Sequence, residues 1–268
     1  MNIPINMKTF KNGLLAIMTL TAMSVSAQDT NPTELIQKME AAMGGWDLLW
    51  SQNDVEFQYD YVYADGKADL STERYIFEGE HSWAKYTQHD INAMPGKEGE
   101  VIQSLVDNQA VCTLAGEAMT DAQVVGGTDF LRRANYFWFT MFFKLNNPGT
   151  VHKYLGSESL EGKDYHKISV TYEGDKTGKE QNDEYIIFIN KETMLVDQFF
   201  FSLPAMGVNV PVLKMDVEYE EINGLQLPTK RYVYQPGEDG KPQAQPFLTQ
   251  TSSKVKFNNG FTPADFKI

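Results

Sequence analysis

The chain has 268 residues, 42% of them hydrophobic and 12% aromatic, with a formal net charge of −13 at pH 7 and one cysteine. An acidic excess of that size argues against nucleic acid and against anionic membrane surfaces as partners. The lone Cys112, set in the strand-like AVCTL, excludes an internal disulfide and a cysteine metal cluster.

Residues 1–27 carry Lys8 and Lys11, an apolar run from Leu14 to Met23, and Val25-Ser26-Ala27 before Gln28. That is the layout of a secretory signal with small residues at its cleavage site. The run is too short to cross a bilayer, and no cysteine stands near the cleavage site. The expectation is a soluble exported protein, periplasmic or secreted, not lipid-anchored and without a transmembrane segment. Cleavage removes two lysines and no acid, taking the charge from −13 to −15. Residues 28–268 are long enough to form one domain with a substantial core, and no linker or repeat divides them.

Asn31-Pro32-Thr33-Glu34 opens a helix, with Asn31 as cap and Pro32 in first position, and Leu35, Ile36, Met39, Ala42 and Met43 as its apolar stripe. Gly44-Gly45 ends it. From Val55 the period changes to two, and Asp65-Gly66 reads as a two-residue hairpin loop pairing Tyr63 with Ala68, Tyr61 with Leu70 and Val55 with Ile76. A strand over 82–88, a loop over 90–99 and a hairpin of 101–106 with 110–114, turned at Asp107-Asn108, follow. The stretch 115–127 reads as an irregular approach, with Gly126-Gly127 offering a cap to the helix behind it.

Residues 128–145 form the longest helical pattern after the signal. Phe130, Leu131, Ala134, Phe137, Trp138, Met141 and Phe142 share one side, Tyr136, Phe139 and Phe143 widen it, and Arg132 and Arg133 fall on the polar side. A helix this aromatic must be enclosed, and it lies between two blocks of strands. Beyond it, strands are predicted over 151–158, 164–173, 183–190, 194–202, 212–222, 225–234 and 247–257, with links short enough to make neighbours antiparallel. The apolar link 203–211 reads either as a packed loop or as a mobile lip. Asn223-Gly224 is the strongest hairpin signal, pairing Ile222 with Leu225, Glu218 with Thr229 and Asp216 with Arg231. This turns Leu213, Met215, Val217, Tyr219, Tyr232 and Tyr234 inward. The acidic row Asp216, Glu218 and Glu220 then becomes a solvated face partly neutralised by Arg231 rather than a cation site.

Catalytic chemistry leaves little trace. His81, His89, His152 and His166 are isolated, and no HExxH, GxSxG, GxxxxGK[ST] or GxGxxG pattern is present. No catalytic residue, metal site or cofactor is expected.

The segments AAMGGWDLLWS, VEFQYDYVYADG, YFWFTMFFKLNNPG, DEYIIFINKETMLVDQ, VEYEEINGLQLPTK and KVKFNNGFTPADFKI carry a family resemblance. Together the chain resembles exported proteins of the outer-membrane lipoprotein-sorting type, relatives of the Lol-type lipoprotein carriers and of the lipid-binding lipoproteins. IFINKETMLV resembles the carriers' strand, turn and strand, and EINGLQLPT the hairpin after it. The resemblance implies an α+β fold: a strongly curved antiparallel sheet, an incomplete β-barrel, with helices covering its concave side around a cavity for acyl chains. The lipid-anchoring cysteine of the receptor-type relatives is missing here.

Three functions stand against each other. The first is a non-catalytic envelope protein binding a lipid, lipoprotein acyl chains or another hydrophobic ligand, with Trp138, Phe142, Phe199, Phe201 and Tyr219 lining the cavity. The second is an envelope structural or interaction protein, with a protein partner and a filled core, and the third, weaker, is a secreted hydrolase. Export makes one direct prediction: the protein purified from its own cells begins at Gln28, and N-terminal sequencing that returns Met1 or Met7 contradicts it.

Overall fold

The computed structural model describes residues 30–177 and 180–268, so the signal segment and its cleavage site fall outside the described residues. Three helices matter to the architecture: α1 (Pro32–Ala42), α2 (Trp46–Trp50) and α3 (Ala122–Lys144). The strands are β1 (Asp54–Tyr63), β2 (Ala68–Ile76), β3 (His81–His89), β4 (Val101–Val106), β5 (Gln109–Leu114), β6 (Glu117–Ala118), β7 (Thr150–Leu160), β8 (Lys163–Tyr172), β9 (Tyr185–Asn190), β10 (Val196–Leu203), β11 (Val208–Ile222), β12 (Leu225–Tyr234) and β13 (Leu248–Phe257). They form one sheet in the order β6-β5-β4-β3-β2-β1-β13-β12-β11-β10-β9-β8-β7, antiparallel at every pairing and open at β6 and β7.

The sheet must curl, because a single helix touches both of its ends. The 23 residues of α3 span about 35 Å. Eleven strand spacings separate β5 from β7 in the sheet order, about 53 Å if laid flat. Yet α3 packs on β5, and Leu145 just past its end accepts a hydrogen bond from His152 Nε2 of β7 at 2.7 Å. The result is an open half-barrel closed over α3. Helix α1 abuts the far end of the sheet. Gly44, at φ 106°, lets the chain come so close to the β11–β12 turn that a Cβ there would stand 2.8 Å from Gly224 O, and Gln226 N donates to Met43 O at 3.0 Å.

Helix α3 departs from the sequence reading in two ways. It begins at Ala122, with Asp121 accepting from Gln123 N and Val124 N, so Gly126-Gly127 lie inside the helix and cap nothing. Its buried face is rotated from the predicted one. Thr128 and Arg132 go inward and Phe130 is 53% exposed, while Tyr136, Phe139, Met141, Phe142 and Phe143 are buried as expected. A stripe drawn from hydrophobicity alone cannot include an arginine, and here Arg132 belongs to it.

The reason lies in the first hairpin, β1–β2. Tyr63 N donates to Lys67 O at 2.9 Å, so the β1–β2 loop has three residues, Ala64-Asp65-Gly66, with Gly66 in the left-handed region at φ 90°. The predicted two-residue loop is therefore off by one: Ala68 faces Val62, Leu70 faces Asp60 and Ile76 faces Asp54. A slip of one residue exchanges the two faces of a strand. It sets Asp69, Ser71, Glu73 and Tyr75 beside Tyr61, Tyr59, Phe57 and Val55 on the inner face.

Glu73 and Arg132 are both fully buried and meet as a bidentate pair, Nη1 to Oε2 at 2.5 Å and Nη2 to Oε1 at 3.2 Å. Glu73 also accepts from Tyr75 OH at 3.0 Å, Ser71 Oγ at 3.0 Å and Asn135 Nδ2 at 3.3 Å, and Arg132 donates to Tyr86 OH at 2.6 Å. Burial works against the Arg132 cation, and the Glu73 carboxylate together with the Tyr86 and Tyr75 phenols outweighs it, holding the guanidinium more firmly protonated than usual. This network fixes the N-terminal half of α3 on β2 and β3.

The β11–β12 hairpin shows a second slip. Its turn is as predicted, Ile222 facing Leu225, but a bulge past Tyr219 pairs Glu218 with Lys230, Asp216 with Tyr232 and Val217 with Arg231. Tyr232 and Tyr234 consequently point outward, under Lys230 and Lys214, and Arg231 points inward at 3% exposure. The acidic row is neutralised by Lys214, 2.8 Å from Asp216, and by Lys230 opposite Glu218, not by Arg231.

Removing one member of the buried pair strands the other. Glu73→Ala is expected to destabilise the protein by about 3–5 kcal/mol in urea unfolding, while the double replacement Glu73→Leu with Arg132→Leu recovers most of that loss. A single variant as stable as the double would show that the pair does not tie α3 to the sheet.

Candidate functional site

The five aromatic residues proposed as a lining come from three elements and meet in one place. Trp138 and Phe142 are one helical turn apart on α3, Phe199 and Phe201 alternate along β10, and Tyr219 lies on β11. Ring centroids are 6.2 Å apart for Trp138 and Phe199, 5.4 Å for Trp138 and Phe201, 5.7 Å for Phe142 and Phe199, and 6.5 Å for Phe142 and Tyr219. Phe142, Phe199 and Phe201 are buried, whereas Trp138 and Tyr219 are half-buried. Tyr185 of β9 completes the cluster at 6.4 Å from both Trp138 and Phe199, a member that the inward alternation of YIIFIN could have supplied.

The cluster is ring packed on ring. Two surface clefts lie elsewhere: one of about 600 Å³ between Tyr86 and the 96–100 loop, and one of about 460 Å³ where α1 and α2 meet Asn146. None of the five aromatics lines either.

What sets this region apart is its rim. At the end of the half-barrel formed by the last residues of β1 and β10 and the first of β11 and β13, Tyr61, Tyr63, Leu203, Leu213 and Phe247 are only half-buried, like Trp138. Rings continue along that edge, Tyr61 to Tyr63 at 5.8 Å and Tyr63 to Phe247 at 6.0 Å. The 203–211 link stands at the same end. It is not a packed loop: a 3-10 turn, Pro204–Met206, leads straight into β11, with Met206 69% and Val210 58% exposed.

Beside the cluster lies a polar group that the predicted register hid. Arg231 Nη2 donates to Trp138 O at 2.7 Å, and burial pushes its pKa down, with Tyr59, Tyr219 and Tyr75 nearby working against that shift. Burial raises the phenols of Tyr59 and Tyr219 far above the usual range, so both stay protonated.

The histidines do structural work. His152 takes the Thr33 hydroxyl at Nδ1 (3.0 Å) while holding Leu145 O, His166 meets Tyr154 OH at 3.3 Å, and His89 lies between Met94 O and Gly99 O. Among the described residues no group of three or more His, Cys, Asp or Glu side chains is placed to hold a metal ion. No helix among them is long and apolar enough to cross a membrane.

Residues 13–221 match a family model described as a family of unknown function, DUF6503. The chain belongs to that family. Nothing matches among curated proteins. Among solved structures, this DUF6503 chain is similar to a LolA superfamily protein from Nitrosomonas europaea, at 13% identity and TM-score 0.52, with 87% of this chain and 97% of that one covered. It is also similar to a DUF1329 family protein from Desulfovibrio piger, at 13% identity and TM-score 0.51, with 89% and 98% covered. The fold is thus that of the LolA superfamily, an open half-barrel with a helix against its concave side, as the motif resemblance implied.

The cluster's members should differ in what their loss costs. Phe199→Ala, at 0% exposure, is expected to lose about 3–5 kcal/mol, and half-buried Trp138→Ala distinctly less, in parallel urea titrations. Equal losses would mean that Trp138 is core and no part of a rim.

Proposed function

We propose that this is an exported, non-catalytic protein of the cell envelope that binds a lipid or another hydrophobic ligand between α3 and the concave sheet. Trp138, Phe142, Phe199, Phe201 and Tyr219 are its lining, and acyl chains of a lipid or lipoprotein are the class of ligand that suits them. The observation that carries the reading is the half-exposed apolar rim at one end of the half-barrel, joined to the buried rings where Leu213 faces Phe201 and Tyr61 meets Tyr59. Water-facing aromatic surface of this kind marks interaction sites more often than chance exposure does. Covering about 300 Å² of it with an acyl chain contributes on the order of 7 kcal/mol before the costs of ordering the chain. The fold shared with the LolA superfamily supports the same reading. The rings part to admit the ligand, and the 203–211 tip is the lip over the mouth.

A second reading draws on the ring-on-ring packing of the cluster. In it the aromatics only fill the core, and the rim contacts a protein partner of the envelope.

Ligand binding separates the two. Native mass spectrometry of protein purified from its own envelope is expected to show a bound lipid, and the emptied protein to take up a fluorescent fatty-acid probe. Hydrogen exchange over 205–210 is expected to slow once the probe is bound. Protein that is always empty and takes up no probe favours the filled core.

A further inference from the structure

Among the described residues two arginines are buried on the concave side, and they are treated differently. Arg132 has a carboxylate, held bidentately, and a phenol. Arg231, 3% exposed, has one hydrogen bond, from Nη2 to the backbone oxygen of Trp138, and among the described residues no carboxylate lies within ion-pair distance of it. A buried cation without a counter-ion is disfavoured far more than a paired one, and buried polar groups ordinarily find every partner they can.

Its neighbour has the complementary deficit, an acceptor without a donor. Gln250 of β13 faces Arg231 across the ladder, is 4% exposed, and its Oε1 has no hydrogen-bond partner among the described residues. Tyr61 of β1 faces Gln250 from the other side. The row Tyr61, Gln250, Arg231 lies one inward-facing step behind the row Tyr63, Leu248, Val233. Amide oxygen and nitrogen exchange places by a half-turn of the side chain, so Gln250 can offer its NH2 to an acceptor or its oxygen to a protonated acid. This polar row adjoins the aromatic cluster, because the residue whose carbonyl Arg231 holds is Trp138, and Tyr219 lies within electrostatic reach.

Resting on the hydrophobic-ligand reading above, we infer that the ligand is an anionic amphiphile whose acid group, carboxylate or phosphate, is received by Arg231 and Gln250 while its chain lies along Trp138, Phe199 and Phe201. Guanidinium forks match both acids in charge and shape. A neutral lipid would leave the Arg231 charge as it stands, whereas an acid supplies the counter-ion that the fold omits.

The test compares four ligands by titration calorimetry on the mature protein: hexadecanoate, hexadecyl phosphate, hexadecanol and inorganic phosphate. The expected result is at least tenfold tighter binding of one or both C16 acids than of the alcohol, with no binding of inorganic phosphate at millimolar concentration. In Arg231→Met the acids lose their advantage and bind no more tightly than the alcohol does to the same variant. The comparison within the unaltered protein stands even where the variant does not fold. Equal affinity for acid and alcohol overturns this inference and leaves the hydrophobic-ligand reading intact. No binding of any C16 ligand overturns both, and tight binding of inorganic phosphate alone shows a free-anion site in place of an amphiphile site.

Discussion

The buried ion pair between Glu73 and Arg132 decides how the central helix sits on the sheet. Neither partner reaches water, so each would be prohibitively placed without the other, and together they admit only a narrow range of helix rotations and offsets. With Arg132 fixed inward, Tyr136, Phe139 and Phe143 follow on the same face, and Trp138 is delivered toward β10 at the edge of the enclosed region. Apolar packing alone tolerates several rotations of so aromatic a helix, and the charge pair selects one. Such pairs serve geometry better than they serve stability.

The concave side is consequently divided. Toward β2–β4 it is polar, with Ser71, Glu73, Tyr75, Tyr86 and Gln103 bonded to one another or to α3, while Arg132 Nε, Thr128 Oγ1 and Tyr136 OH find no partner among the described residues. Toward β9–β11 it is aromatic and ends at a half-exposed rim. Arg231 stands between the two regions without the carboxylate that Arg132 enjoys. A fold serving only its own stability would gain from an apolar residue there, which is why the position points to something that arrives from outside.

Strands and turns were largely visible in the sequence because alternation and turn dipeptides are local signals. The seven strands predicted after the helix all exist, and Asp107-Asn108 forms the two-residue turn expected, both residues at positive φ. Half-barrel curvature came from family resemblance, since periodicity carries no information about how far a sheet bends. Faces were harder. One extra residue in the Ala64-Asp65-Gly66 loop and one bulge in β12 each reversed a parity, and those two positions conceal the charged residues that matter most, Glu73 and Arg231. The same blindness placed Arg132 on the solvent side, because a helical stripe is drawn by hydrophobicity while a buried charge is explained only by a partner 59 residues away. The aromatic candidates fared differently: Trp138, Phe142, Phe199, Phe201 and Tyr219 converge in space, and whether they part for a ligand is a property no pattern of residues encodes.

Occupancy of the space between α3 and β10–β11 is the point on which function turns. Co-crystals with 16-bromohexadecanoate, examined by anomalous scattering at the bromine edge, locate the end of the chain without any assumption about the protein. The expected peak lies among Trp138, Phe199 and Phe201 or at the rim that continues from them. Bromine found only on the outer face of the sheet, or in neither place at saturating ligand, would contradict a hydrophobic-ligand site on the concave side.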